Sequence, residues 1–372
     1  MSEAALYAWL SAPMRPDVSE AVERLRHAPD VQHVAVMPDV HLSSDICVGV
    51  ATGTTHLLYP QAVGGDIGCG MLAVASNLHA PALRDASRAG RVLAALGRDI
   101  PARRRNRRER ISQPRLLIEG TLSHPLLEAI RRGEGELEFA TLGSGNHFIE
   151  LQSDEDERLW LMIHSGSRAL GQAIHAHHLA RAQPAAPRLR AIDAASDEGA
   201  AYLHDLSYAR RYADASRRAM AEAVGRVLQA TLDWDAAITT DHNHVLSEFH
   251  MGRPYWVHRK GAARALLGEP GVLPGSMGTL SFHVEGRGHP PALCSSAHGA
   301  GRALSRTEAR AKLTTQDLHR QMEGVWYDFR LSDRLRDEAP AAYKDIRAVL
   351  RAQKELVKVV RTLRPILNYK GT

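Results

Sequence analysis

The chain has 372 residues, 44% hydrophobic and 24% charged, with a formal net charge of +5 and a pI near 9.2. This is ordinary for a globular protein with a substantial core, and it suits a polyanionic partner without requiring one. Three cysteines (Cys47, Cys69, Cys294) argue against a disulfide framework and for a reducing compartment. With no leader-like N-terminus and no apolar run near the ~20 residues of a bilayer span, a cytoplasmic location without membrane contact is expected.

In chain order, residues 1–30 carry a helical pattern with Val18, Ala21, Val22 and Leu25 on one face. Val31 to Met37 reads as a buried strand closed by Pro38-Asp39-Val40-His41, and Cys47 to Gly53 as a second strand. Gly64-Gly65-Asp66-Ile67-Gly68-Cys69-Gly70-Met71 follows, too glycine-rich for a helix or strand interior and therefore a tight loop. Pro81 to Ile100 reads as an amphipathic helix with Leu83, Ala86, Leu93 and Leu96 inward, and Leu126 to Arg132 as a weak helix. Between them lies a dense block of Arg103, Arg104, Arg105, Arg107, Arg108 and Arg110, read as a solvated face or loop, or else as a phosphate-backbone contact. Phe148 to Leu151 and Leu159 to Ile163 read as strands, the second delivering His164 at its end. Gly171 to Leu232 reads as predominantly helical scaffold, and 233–296 as short strands and loops. A helix is expected to start over Thr307 to Gln316, and Tyr343 to Leu363 reads as an amphipathic helix followed by Pro365 and a tail. Loops alternate with scaffold along the whole length, so one domain over 1–372 is expected.

The chemistry lies in the loops. Asp66 and Cys69 stand three apart, and His147, His164 and His242 lie in separate Gly-, Ser- or Asn-rich contexts. An isolated D-x-x-C is more often a structural cysteine beside a turn-capping aspartate. Five such residues in four loops make instead a mixed ligand set for one or two transition metals, with Zn, Mn, Co and Fe all open. His298, in Ser295-Ser296-Ala297-His298-Gly299-Ala300-Gly301-Arg302, has only small neighbours for three positions on either side, which opens it to a large group. An exposed imidazole can act as a nucleophile toward phosphorus or as a general base, and Arg302 can clamp a phosphate. Pro274-Gly275-Ser276-Met277-Gly278-Thr279 is a similar open loop, and His258-Arg259-Lys260-Gly261 brings cationic or proton-carrying side chains together.

These motifs, with Gly145-Asn146-His147-Phe148-Ile149-Glu150, His164-Ser165-Gly166-Ser167-Arg168, His242-Asn243, Ala342-Tyr343-Lys344-Asp345-Ile346 and Lys370-Gly371, occur in the order found in the RtcB family of RNA ligases, which the chain resembles from about residue 35 onward. The resemblance implies an α+β fold with mixed or antiparallel sheets flanked by helices around a central metal and nucleotide pocket. It implies a GTP- and Mn²⁺-dependent enzyme joining RNA 2′,3′-cyclic phosphate or 3′-phosphate ends to 5′-hydroxyl ends, in RNA repair or tRNA splicing, and raises an archease-like activator as a partner. Carried over by motif, His298 is the nucleophile that accepts GMP. Cys69 bridges two Mn²⁺ ions, one held with Asp66 and His147, the other with His164 and His242. Asn146 contacts the nucleotide phosphate. Glu150, Ser281, Tyr343 and Lys370 line the guanine pocket, Ser276 and Arg302 hold phosphates, and Gly299, Ala300 and Gly301 complete the nucleotide loop.

The chain departs from the family pattern at Leu42-Ser43-Ser44-Asp45-Ile46, where a glycine-rich stretch is usual, at His244, where an aromatic is common, and over Glu248 to Pro254. These departures bear on RNA-end contacts more than on the centre, as in a short, divergent paralogue. Two other readings use the same residues: a dinuclear metallohydrolase or phosphodiesterase without a covalent step, and a non-catalytic RNA-binding relative.

Overall fold

The computed structural model describes residues 3–371. Two sheets carry the architecture. The five-stranded sheet runs in the order Ala5–Ala8, Val31–His41, Val48–Thr54, Arg253–Lys260, Asn243–His250. Its first pair is parallel and the rest antiparallel. The Pro16–Arg26 helix covers it with Val18, Ala21, Val22 and Leu25, the face expected from the sequence. The Ala5–Ala8 strand lies inside a stretch read as helical, and four residues are too few to set a period.

The seven-stranded sheet runs Leu232–Asp241, Gly70–His79, Arg158–Ser165, Phe148–Ser153, Val357–Lys370, Ser281–Gly286, Pro270–Leu273, antiparallel throughout. Against it packs the long helix Asp197–Leu228, which buries Tyr202, Leu206, Tyr212, Met220 and Val224 among Leu72, Leu161 and Ile163. Ser196 caps this helix by accepting from Gly199 N at 3.0 Å, and Gln229 closes it in the left-handed region at φ 54°. The fold is thus α+β, with helices flanking mixed and antiparallel sheets.

The structure corrects several boundaries. The Tyr343–Leu363 helix is short: only Ile346–Ala352 is helical, and Val357–Lys370 is a fourteen-residue strand. Val357, Val359, Val360 and Thr362 are β-branched, and their strand preference overrides the apparent helical spacing. Pro365 fits a central strand because the pairing with Phe148–Ser153 shifts register between Pro365 and Leu367. The expected 171–232 helix is interrupted by the hairpin Gln183–Ala186/Leu189–Asp193, where Pro184 and Pro187 forbid helix. The 81–100 helix begins at Ala86, capped by Asp85. It buries Ala89, Val92 and Leu96, leaving Ala86 exposed and Leu93 half-buried. Beyond Ser305 the expected helix divides into Arg306–Lys312 and Thr315–Gln321, each opened by its own capping box. Among the described residues no helix is long and apolar enough to cross a membrane.

Candidate functional site

Strand register assembles the site. Four neighbouring strands of the seven-stranded sheet end at one edge. Antiparallel pairing sets Gly70 opposite Asp241 and Ser165, and His164 opposite Met71 and Phe148. Cys69, His242, His164 and His147 are therefore brought together by pairing alone, although they lie far apart in sequence. Lys370, opposite Phe148 on the next strand, arrives at the same edge. The glycines of the 64–70 loop have particular work. Gly68 has φ +70° and packs where a Cβ would lie 2.8 Å from Arg210 Cα of the long helix, and a Cβ on Gly166 would overlap the Asp66 carboxylate. Arg217, buried on the same helix, donates from Nη1 to the carbonyls of Gly68 and Ser165, at 2.8 Å each. The helix read as scaffold thus clamps both ligand-bearing loops.

Cys69 Sγ lies 3.2 Å from His164 Nε2 and 3.5 Å from His147 Nε2. His147 Nε2 is 2.9 Å from Asp66 Oδ2, and His164 Nε2 is 3.3 Å from His242 Nε2. Two three-residue groups result, Asp66/Cys69/His147 and Cys69/His164/His242, sharing the cysteine. His147 Nδ1–H donates to Leu142 O at 3.0 Å and His164 Nδ1–H to Asn146 O at 3.1 Å. In the neutral rings the bare Nε2 lone pairs therefore point into the cluster, at a carboxylate, a thiol and one another. Burial and the adjacent Asp66 carboxylate push the Cys69 thiol well up, while burial holds His164 and His242 well below the ordinary imidazole range. Converging lone pairs on neutral rings are what a divalent cation takes up, and a cation also makes the thiolate affordable. The donor set fits two such ions.

His298 lies next to this cluster, its ring centroid 4.7 Å from that of His242. It follows the short strand Ser295–Ala297, which pairs with Ala262–Arg264. Fully buried Asp39 accepts from both His298 Nδ1 at 2.7 Å and His298 N at 3.0 Å through Oδ2. Lys344 Nζ brackets Asp39 by donating to Pro38 O at 3.0 Å and Val40 O at 2.7 Å. The proton on Nδ1 leaves Nε2 as the free atom. Asp39 sits in a motif the sequence singled out without giving it a role.

A cleft of about 1210 Å³ joins these groups, lined by His298 to Arg302, Asn146, Glu150, Ser276, Ser281, Tyr343 and Lys370, with Asp66, Cys69, His164 and His242 in its wall. Another part of its wall is held by charge. Buried Glu338 receives Tyr343 Oη at 2.6 Å, Arg306 Nη1 at 2.6 Å, Arg302 Nη1 at 3.2 Å and Lys370 Nζ. Burial opposes ionisation of Glu338, but Lys370 and Arg306 outweigh it and hold its pKa below the usual carboxylate range. Arg302 is thus committed to Glu338, Asp337 O and Leu304 O, and stacks on Tyr343 with its guanidinium 5.1 Å from the ring centre. Glu150 accepts from Gln152 and Asn368, each at 2.6 Å, and burial pushes its pKa up to about 8. Ser276 Oγ meets Thr279 Oγ1 at 2.9 Å, Ser281 Oγ accepts from Gly275 N at 3.2 Å, and Ala300 N donates to Pro274 O at 3.0 Å.

The expected grouping of His258, Arg259 and Lys260 does not hold, because neighbours on a strand face opposite ways. Lys260 lines the cleft and donates to Ile46 O at 2.8 Å, and burial lowers it to about 8. His258 accepts from Tyr59 N at 3.0 Å. Arg259 is buried on the other face, bound to Glu248 at 2.5 and 3.0 Å, Ser295 Oγ at 2.9 Å, Leu293 O at 2.8 Å and His244 Nε2 at 3.2 Å. The divergent His244 and Glu248 therefore complete a polar hub that fixes the strand leading to His298. Sequence reasoning missed Glu338, Arg217 and Asn368, which no local signal marked, and it did not foresee that Arg259, His244 and Ser295, all in singled-out stretches, join Glu248 in this hub.

The family described as tRNA-splicing ligase RtcB matches residues 21–124 and 119–371. The chain is 34% identical to the RNA-splicing ligase RtcB of Escherichia coli K12, over 96% of this chain and 95% of that one. It is 34% identical to the RNA-splicing ligase RtcB1 of E. coli ATCC 25922 over the same shares. With the tRNA-splicing ligase RtcB of Methanococcus maripaludis the identity is 28%, over 90% and 87% of the two chains. With a family match over nearly the whole chain and relatives this similar along their full length, the protein belongs to the RtcB family.

Proposed function

We propose that the protein is an RNA ligase that accepts GMP from GTP on His298 and uses it to activate an RNA 3′-phosphate for attack by a 5′-hydroxyl. The observation that carries this reading is the juxtaposition of a tautomer-fixed imidazole with two ligand triads that share one thiol, all in one cleft. The relatives' names supply the substrate class.

Two divalent cations, manganese by the family resemblance, would be held by Asp66, Cys69 and His147 and by Cys69, His164 and His242, and would neutralise charge on non-bridging phosphate oxygens. Asp39 keeps the His298 proton on Nδ1, so Nε2 presents a lone pair to the α-phosphorus. The N–P bond forms as the P–O bond to pyrophosphate breaks, and the charge left on the ring is balanced by the Asp39 carboxylate. An oxygen of the RNA 3′-phosphate then displaces His298, and the 5′-hydroxyl expels GMP as the new phosphodiester closes. A 2′,3′-cyclic end is first hydrolysed: water adds to the phosphorus as the P–O2′ bond breaks, leaving a 2′-hydroxyl and the 3′-phosphate. Lys260 lines the cleft and, with its pKa lowered to about 8 by burial, is still mostly protonated at pH 7 and able to donate to a phosphate. Glu150 and Lys370 supply an acceptor and a donor for guanine, with Tyr343 beside them. The direct test is joining of an end-labelled RNA 3′-phosphate to a 5′-hydroxyl RNA in the presence of GTP and Mn²⁺. Product that requires the 3′-phosphate and GTP supports the reading; RNA cleavage without joining would replace it with hydrolysis.

A further inference from the structure

The stretch from Arg103 to Arg110 holds six arginines and one acid, and no step of the chemistry above uses it. The structure makes it an ordered loop rather than a loose tail. Asn106 Oδ1 accepts from Arg108 N at 3.0 Å and Glu109 N at 3.2 Å, capping a short turn over Arg107–Glu109. Arg105 is the anchor: it is buried, and Nη2 donates to Asp99 O at 2.7 Å and Ala140 O at 3.0 Å. Arg104 meets Glu134 at 3.3 Å and Arg110 meets Glu136 at 2.5 Å, both across exposed surface. Arg103, Arg107 and Arg108 are exposed and have no carboxylate partner among the described residues.

The loop is tied to the metal side of the cleft. Leu142 N donates to Pro101 O at 3.0 Å and Gly143 N to Ala102 O at 3.1 Å, and Arg168 Nη2 reaches the same Ala102 carbonyl at 3.3 Å. The segment entering the arginine block therefore runs beside the 140–143 backbone, whose Leu142 carbonyl orients His147 and which leads directly to Asn146. Exposed guanidinium groups on a loop whose base pairs with the 142–143 backbone, with no apolar side chain between residues 103 and 110 to form the core of a protein interface, match a phosphate chain better than a protein surface.

We propose that Arg103, Arg107 and Arg108 bind the backbone of single-stranded RNA leading away from the end seated in the cleft. The inference rests on the ligase reading for the direction of the RNA, but not for the binding itself. Each phosphate neutralised on a single strand adds about 0.7 to the slope of log affinity against log salt, so three contacts add roughly 2. Across a fourfold rise in salt the wild type should then lose about 20-fold more affinity than a variant lacking them.

The test measures binding of the full chain, with Mn²⁺, to a 3′-phosphorylated single-stranded RNA of about 20 nucleotides and to one of about 4, across salt concentrations. The wild type is compared with R103Q/R107Q/R108Q, with thermal unfolding reporting its fold; Arg105, the structural anchor, is kept. A shallower salt slope in the variant on the long RNA, with little difference on the short one, is expected. Equal slopes on the long RNA would overturn the proposal and leave the block to an acidic protein partner. Should the triple variant melt early, the single variants R107Q and R108Q, each expected to reduce the slope by about 0.7, decide the matter in the same way. Labelling of the wild type by GTP is measured in parallel. A block-dependent slope without labelling would retain this surface and remove the ligase reading, while labelling with equal slopes would do the reverse.

Discussion

Two clusters in the cleft wall are built to opposite rules. In the Cys69 cluster, the Nε2 atoms of His147 and His164 face a carboxylate, a thiol and a third imidazole while their own protons are committed to backbone carbonyls. Arg217 supports the loops from behind, through the Gly68 and Ser165 carbonyls, and leaves these lone pairs facing one another. In the other, Glu338 gathers Lys370, Arg302, Arg306 and Tyr343 into a cluster that already closes on itself. Any anion entering there must compete with Glu338 for those cations. One cluster therefore leaves donor atoms converging on one another, while the other pairs its cations with a buried carboxylate.

The largest effect is expected at His298, beside the Cys69 cluster. Asp39→Asn replaces an acceptor that fixes the His298 tautomer with a group that can also donate, and should lower the rate of GMP transfer to His298 by on the order of 10³-fold. Single-turnover labelling checks this; a loss below about tenfold would mean that Asp39 does not set the tautomer. Next comes Glu338→Gln, which leaves buried Lys370 and half-buried Arg302 without their carboxylate and should cost about 3–5 kcal/mol in urea denaturation. Added phosphate should restore more stability to this variant than to the wild type. Equal effects of phosphate on both would break the contrast between the clusters.

Cation binding gives a smaller, opposite signature. Mn²⁺ at a hundredfold excess over its Kd should stabilise the wild type by about 2.7 kcal/mol per site, and a chelator should reverse it. Cys69→Ala, which removes the shared ligand, should lose most of that gain at both sites. A gain left intact in this variant would contradict the shared-thiol arrangement. The smallest effect is on guanine recognition. Glu150 has its pKa pushed up to about 8 by burial, so it is mostly protonated at pH 7 and must ionise to accept from the base. GTP affinity should rise about fivefold between pH 7 and 8, as the ionised fraction grows, and stay flat in Glu150→Gln. Equilibrium titrations at the two pH values decide it.

Much of the site was legible because its loops are glycine-rich and its chemistry is carried by rare residue types. Asp66, Cys69, His147, His164, His242 and His298 stand out in sequence, and the structure gathers them through strand register. The contacts that hold them were not legible. Arg217 looks like any arginine on a long helix, Glu338 sits in an unremarked acidic pair, and Arg259 points away from the site because of strand alternation. In the fold, the Pro16–Arg26 helix was readable from a single buried face. The Val357–Lys370 strand was not, since its first half pairs with Ser281–Gly286 and its second with Phe148–Ser153, and its register breaks at Pro365. Local pattern reports a face when one partner covers it, and fails when long-range pairing decides the conformation.

The most direct measurement is incubation of the full chain with α-labelled GTP and Mn²⁺, followed by denaturing electrophoresis, with His298→Ala alongside. The expected result is acid-labile, alkali-stable label on the wild type and none on the variant. An unlabelled wild type with metal verifiably bound, or equal label on His298→Ala, would contradict the assignment of His298 as the GMP acceptor.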